Sequence, residues 1–171
     1  MQARHFDAIL LSSKAAVSAI VAVPCYNLFG LPGAIWASIS AVLVIQPGLN
    51  PSLRASLMRV VANLIGAFIG AVLITLIGQT LTALAAGVLL TGLVCYLARL
   101  EDAVRPAYAA VVIVTFTSGA GKAAWTEPLE RVLAVMTGCA CSLAAGFVID
   151  KLAGRLKIRH KDEKKNHETS E

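Results

Sequence analysis

The chain has 171 residues, of which 15% are charged and 57% hydrophobic; an ordinary soluble domain carries about 25% charged and 45–50% apolar residues. That departure excludes a typical soluble fold and points to the membrane. The net charge of +5 does not signal nucleic acid, because seven Lys or Arg sit with four Asp or Glu in residues 151–171, a juxtamembrane arrangement suited to anionic lipid headgroups.

Charges are absent from residues 15–53, 60–98, 106–121 and 132–149. A helix crosses the hydrocarbon core with roughly 20 apolar residues, so the two longer runs hold two spans each and the shorter ones hold one. Six transmembrane helices are expected. These segments are apolar on all sides, unlike a soluble helix with one charged face. The first span, about 8–28, has no A-x-A cleavage pattern and is expected to remain in the mature chain.

In chain order, the first span ends at Gly30-Leu31-Pro32-Gly33, and the second, 34–45, is short and closed by Pro47, Gly48 and Pro51. The third starts in the 54–59 region and runs to 77. Gly78-Gln79 is the turn before the fourth, 81–98, and Arg99, Glu101, Asp102 and Arg105 form a polar loop. Pro106 suits the first turn of the fifth span, which runs to about 118; the sixth covers 128–149. With the N-terminus inside, the inner segments hold Arg4, Arg54, Arg59, Arg99, Arg105 and the tail, and the outer ones only Lys122 and Arg131. Positive residues are retained on the cytoplasmic side, so both ends are expected there. The divisions are a cytoplasmic N-terminus (1–7), a transmembrane domain (8–150) and a basic tail (151–171) expected to lack ordered structure.

Sliding the chain by 72 residues aligns Arg59-Val-Val-Ala-Asn-Leu-Ile-Gly66 with Arg131-Val-Leu-Ala-Val-Met-Thr-Gly138, and Trp36 with Tyr108. Three helices per copy make the second copy enter the membrane from the opposite side. The fold expected is therefore an all-α integral membrane protein of two inverted three-helix repeats, about 8–78 and 79–150. Such repeats recur in secondary transporters, and short helices at matching places in the halves, here 34–45 and 106–118, point to the substrate site.

Ionisable groups in a span normally face the bundle interior or a water-filled path. Lys14 lies two turns into the first helix, where it either snorkels to the interface or serves a substrate path. Arg59 shares a helix face with Asn63, Gly66 and Gly70; Arg131 shares one with Gly138, Ser142 and Gly146. Small residues at that spacing let helices approach closely, so both arginines are aimed inward, Arg59 toward the inner mouth and Arg131 toward the outer. There they bind lipid phosphate or attract a carboxylate. Lys14, Arg59, Asn63 and Arg131 are the candidate substrate-binding residues; Gly66, Gly70, Gly138, Ser142 and Gly146 are the candidate helix-packing residues. Glu127 and Glu130 are expected to pair with Lys122 or Arg131, with a proton-carrying role as the alternative. Cys25, Cys95, Cys139 and Cys141 fall within spans, where thiols act as small apolar groups. His5, His160 and His167 lie in the termini. No catalytic constellation, metal site or cofactor motif is seen.

The stretch from Trp36 to Ile74, with its short apolar helix, Pro/Gly bend, Leu53-Arg54-Ala55, Arg59 and Gly66, resembles the fusaric acid resistance protein-like superfamily, or aromatic acid exporter family. The third helix of that family typically opens Arg-x-x-Gly-Thr-x-x-Gly; Arg59 and Gly66 match, while Ala62 and Asn63 replace Gly and Thr. The resemblance implies a minimal six-helix efflux protein of the inner membrane for aromatic or other organic acids, driven by the proton gradient, working as a homo-oligomer, most simply a dimer. The alternative is a non-transporting accessory or structural membrane subunit.

Overall fold

A computed structural model describes residues 2–117 and 125–168, with side chains for 8–117 and 125–152. Among the described residues it is all-helical: α1 (Gln2–Asn27), α2 (Ala34–Val44), α3 (Leu49–Ile77), α4 (Leu81–Leu97), a 3-10 turn (Glu101–Ala103), α5 (Val104–Thr117) and α6 (Thr126–Glu168). Three stretches are long and apolar enough to cross a membrane: Ala8–Asn27, Leu49–Ile77 and Thr126–Leu152. The apolar helices α2 and α4 are shorter, at 11 and 17 residues.

Two boundaries differ from the sequence expectation. α3 starts at Leu49, ahead of the 54–59 region, with Pro51 in its first turn, where the missing N–H has no intrahelical partner to lose. Only four residues separate it from α2, and Gly48 takes φ 110° there, a backbone region open to glycine. α6 extends to Glu168, through the basic stretch expected to lack order; no proline interrupts it after Pro128. The side chains of that stretch lie outside the described residues.

α4 ends in a left-handed turn without glycine. Arg99 takes φ 54°, its N–H donates to the Tyr96 carbonyl and the Leu100 N–H donates to the Cys95 carbonyl, the double closure of a Schellman motif. A left-handed non-glycine residue costs about 1–2 kcal/mol, partly offset because glycine loses more freedom on folding. Arg99→Gly is therefore expected to stabilise the protein by about 0.5–1 kcal/mol, read as a higher melting midpoint of the helical signal in detergent.

The bundle is small inside and large outside. Ala22, Ala37, Ala41, Ala62, Ala71, Ala107, Ala110 and Ala134 are buried, while Ile20, Leu28, Leu76, Leu89, Leu97 and Phe116 are exposed. That distribution suits helices that meet closely and turn bulky apolar groups to lipid. α2 packs between α1 and α6, α5 packs between α3 and α4, and α3 lies against α6. Exchanging α1, α2 and α3 for α4, α5 and α6 maps every helix pair in contact onto a helix pair in contact, with α3 and α6 mapping onto each other.

The closest approaches follow the same exchange. A methyl on Gly66 would strike the Ala107 carbonyl and lie 2.7 Å from the Ala110 Cβ; one on Gly138 would strike the Ala37 carbonyl and lie 3.0 Å from the Ser40 Cβ. One turn on from Gly66, Gly70 faces Val114, so α3 and α5 run parallel. α2 and α6 also run parallel, with Arg131 over Trp36, Gly138 at Ala37 and Gly146 at Ile45.

Candidate functional site

α2 is the rod along which the basic side chains are arranged. Near its N-terminal end, the Arg131 guanidinium of α6 lies 4.3 Å from the centre of a Trp36 ring. Four residues on, Arg59 of α3 donates from Nε to Ser40 Oγ at 3.2 Å. Beyond Ile45 and Gln46 comes Lys14 of α1, which forms an ion pair with Asp150 of α6. At 1.5 Å per residue, Trp36 and Ser40 are about 6 Å apart along the axis, and Ile45 is about 7.5 Å further. The sequence assigns Arg59 and Arg131 to opposite mouths. In the structure their head groups meet neighbouring turns of one helix, because α3 and α6 both bear on α2.

Arg131 is only 7% exposed, and its Nε and Nη1 have no acceptor among the described residues. It borders a cavity of about 120 Å³, also lined by Gly33, Trp36, Ile113, Thr117, Glu127 and Glu130. The approach to Trp36 is a cation–π contact, and it leaves Nε and Nη1 for an acceptor. Lys122, one expected partner of the two glutamates, lies outside the described residues.

Asn63 donates from Nδ2 to the Arg59 carbonyl at 2.9 Å, which leaves its buried Oδ1 without a protein partner. Ser56 Oγ on α3 and Ser142 Oγ on α6 are likewise buried and without a partner among the described residues. Buried polar atoms are nearly always satisfied by protein or water, so these atoms are exceptions that lie on the same two helices as Arg59 and Arg131. Of the candidate packing residues, Gly66, Gly70 and Gly138 are tightly opposed. Ser142 and Gly146 instead border a narrow gap shared with Lys14, Ile45, Ser52 and Asp150.

At the far end, Lys14 is 4% exposed, and its carbonyl accepts from Ser18 Oγ at 2.7 Å. A wider pocket of about 400 Å³, lined by Ala8, Leu10, Leu11, Pro47 and Gly48, opens onto the Lys14–Asp150 pair. Sequence reasoning missed Asp150 as a partner, and treated Trp36 only as a repeat marker and Ser40 not at all. One signal was present: Asp150 is the acid that closes the last charge-free run, at a depth matching Lys14 in an antiparallel helix. Among the described residues no group of His, Cys, Asp and Glu is placed to hold a metal ion.

A family model described as aromatic acid exporter family member 1 matches residues 11–149. Neither a curated protein nor a solved structure matches the chain significantly.

Proposed function

The chain belongs to the aromatic acid exporter family, and we propose that it is an inner-membrane efflux transporter of small aromatic or other organic carboxylates. The observation that carries this reading is Arg131: a buried guanidinium, stacked on an aromatic ring, with two N–H groups unpartnered beside a cavity of about 120 Å³. The space is smaller than the apolar cavity of 150 Å³ that takes up benzene, and it is open on one side, so it admits the carboxylate and the near edge of a one-ring acid. Its carboxylate would accept from Arg131 in a charge-assisted pair, and its ring would lie among Trp36, Ile113 and Thr117. Arg59, Asn63 and Lys14 extend the same path along α2.

All six helices cross the membrane in this reading, as two inverted halves, 8–78 and 79–150, with both ends and the basic tail in the cytoplasm. The exchange of helix contacts supports it, as do the parallel pairs α2/α6 and α3/α5, which six alternating crossings require. The transporter works as a homo-oligomer, most simply a dimer, coupled to the proton gradient. Cells overproducing the protein are expected to accumulate less radiolabelled 4-hydroxybenzoate than cells lacking it, with the difference abolished by a protonophore. Equal accumulation across a panel of aromatic acids would leave an accessory membrane subunit as the better description.

A further inference from the structure

The buried cations at the two ends of α2 differ in their partners. At the Arg131 end the cation has N–H groups unpartnered beside a cavity, whereas at the other end the cation is already occupied: Lys14 is held by Asp150. The two partners are unequally placed. Lys14 is almost wholly enclosed, while the Asp150 side chain is 41% exposed. The acid therefore reaches in from the rim to a cation fixed in the wall. Around the pair lie the open pocket of about 400 Å³ on one side and the narrow gap leading to Ser142 and Ser52 on the other. Lys14, Gly48 and Asp150 line both spaces, so the ion pair stands where they meet.

Among the described residues no second acid shares the position. The other residues lining the two spaces are Ala8, Leu10, Leu11, Ile45, Gln46, Pro47, Leu49, Ser52, Ser142, Leu143 and the two glycines. The neighbouring Lys151 is turned to the Phe147 ring, 5.8 Å from its centre. Lys14 thus has one carboxylate partner among the described residues.

We propose that Lys14 is the entry site for the substrate carboxylate, and that Asp150 is a built-in competitor that occupies it until an external carboxylate takes its place. This rests on the reading of the chain as an organic-acid exporter with its Lys14 mouth in the cytoplasm. The exchange needs no bond made or broken. One carboxylate leaves an ammonium for water and another arrives, so the partly exposed Asp150 is the partner able to withdraw. The arrangement gives selectivity: only an anion that outbids a tethered carboxylate opens the mouth, and the narrow gap beyond stays sealed against small leaks while the pair is intact. Asp150 then sets the concentration at which export begins, and Arg131 sets how well the passage runs.

The test is initial-rate uptake of radiolabelled 4-hydroxybenzoate into inverted membrane vesicles containing the full-length protein, with empty vesicles as background. Asp150→Asn removes the competitor and is expected to lower KM at least threefold without raising kcat. Lys14→Gln is expected to raise KM at least threefold, and Lys14→Gln/Asp150→Asn to match Lys14→Gln. A KM for Asp150→Asn within twofold of the unaltered protein would overturn the competitor role. In that event loss of uptake by Arg131→Gln would show that the exporter reading still stands. If Asp150→Asn fails to reach the membrane, the double variant decides, because it carries no unpaired charge: a raised KM supports Lys14 as the entry cation, and an unchanged KM overturns it. Uptake by the unaltered protein no greater than by empty vesicles would remove both readings together.

Discussion

Arg131→Gln is expected to lower the rate of aromatic-acid efflux by at least tenfold while leaving the amount of protein in the membrane unchanged. A hydrogen bond to a charged group contributes about 1.5–3 kcal/mol, and each 1.4 kcal/mol is a factor of ten. Losing the guanidinium removes that contribution wherever the carboxylate depends on it. The fold should tolerate the change, because Arg131 Nε and Nη1 satisfy no protein acceptor and a buried cation is costly to keep without a partner. Arg131→Lys separates charge from shape: it keeps the cation but loses the flat group that stacks on Trp36, and an intermediate rate is expected. Efflux at the unaltered rate in Arg131→Gln would reduce Arg131 to a lipid anchor and sink the transport site.

Gly66→Ala and Gly138→Ala are each expected to cost about 1–3 kcal/mol of stability, the range for overpacking a tight interior. The added methyl meets a backbone carbonyl in both cases, Ala107 for Gly66 and Ala37 for Gly138, and a backbone cannot swing aside as a side chain can. The helices must part, α3 from α5 or α6 from α2. Gly146→Ala is the control on the same face of α6: its nearest neighbour would be the Ile45 Cδ1 at 3.9 Å, an ordinary contact, so the helix preference of alanine is expected to stabilise by about 0.5–1 kcal/mol. Melting of the helical signal in detergent measures all three. Equal melting of Gly138→Ala and Gly146→Ala would contradict the α2–α6 contact.

The helices were legible because charge cannot enter a span cheaply, and the charge-free runs mark their number and nearly their ends. The start of α3 was not, since Pro51 reads equally as a terminator of α2 or as a first-turn residue of α3. Gly66 and Gly138 were found by one offset of 72 residues. The same offset misplaces α2 against α5, where Ala37 and Ser40 correspond in their contacts to Ala107 and Ala110, an offset of 70. The chain from Ala107 to Gly138 is two residues longer than that from Ala37 to Gly66, so no single shift serves both helices, and Tyr108 packs on Gly92 instead of taking the place of Trp36. The Lys14–Asp150 pair spans 136 residues, and helical spacing carries no information between helices. The meeting of Arg59 and Arg131 on α2 was hidden for the same reason.

The shortness of α2 bears on the electrical work of transport. Its 11 residues extend about 16 Å, roughly half of a 30 Å hydrocarbon core. In the exporter reading proposed above, solvent reaching both ends of α2 would make the membrane voltage fall mainly across this helix and not across the full bilayer. A carboxylate passing from Lys14 to Arg131 travels about the length of α2 and crosses most of that field, worth about 2.3 kcal/mol per 100 mV for each charge. On that reading an interior negative voltage would drive the anion outward by itself, and clamping that voltage to zero with a potassium ionophore is expected to slow export even while the pH difference is maintained.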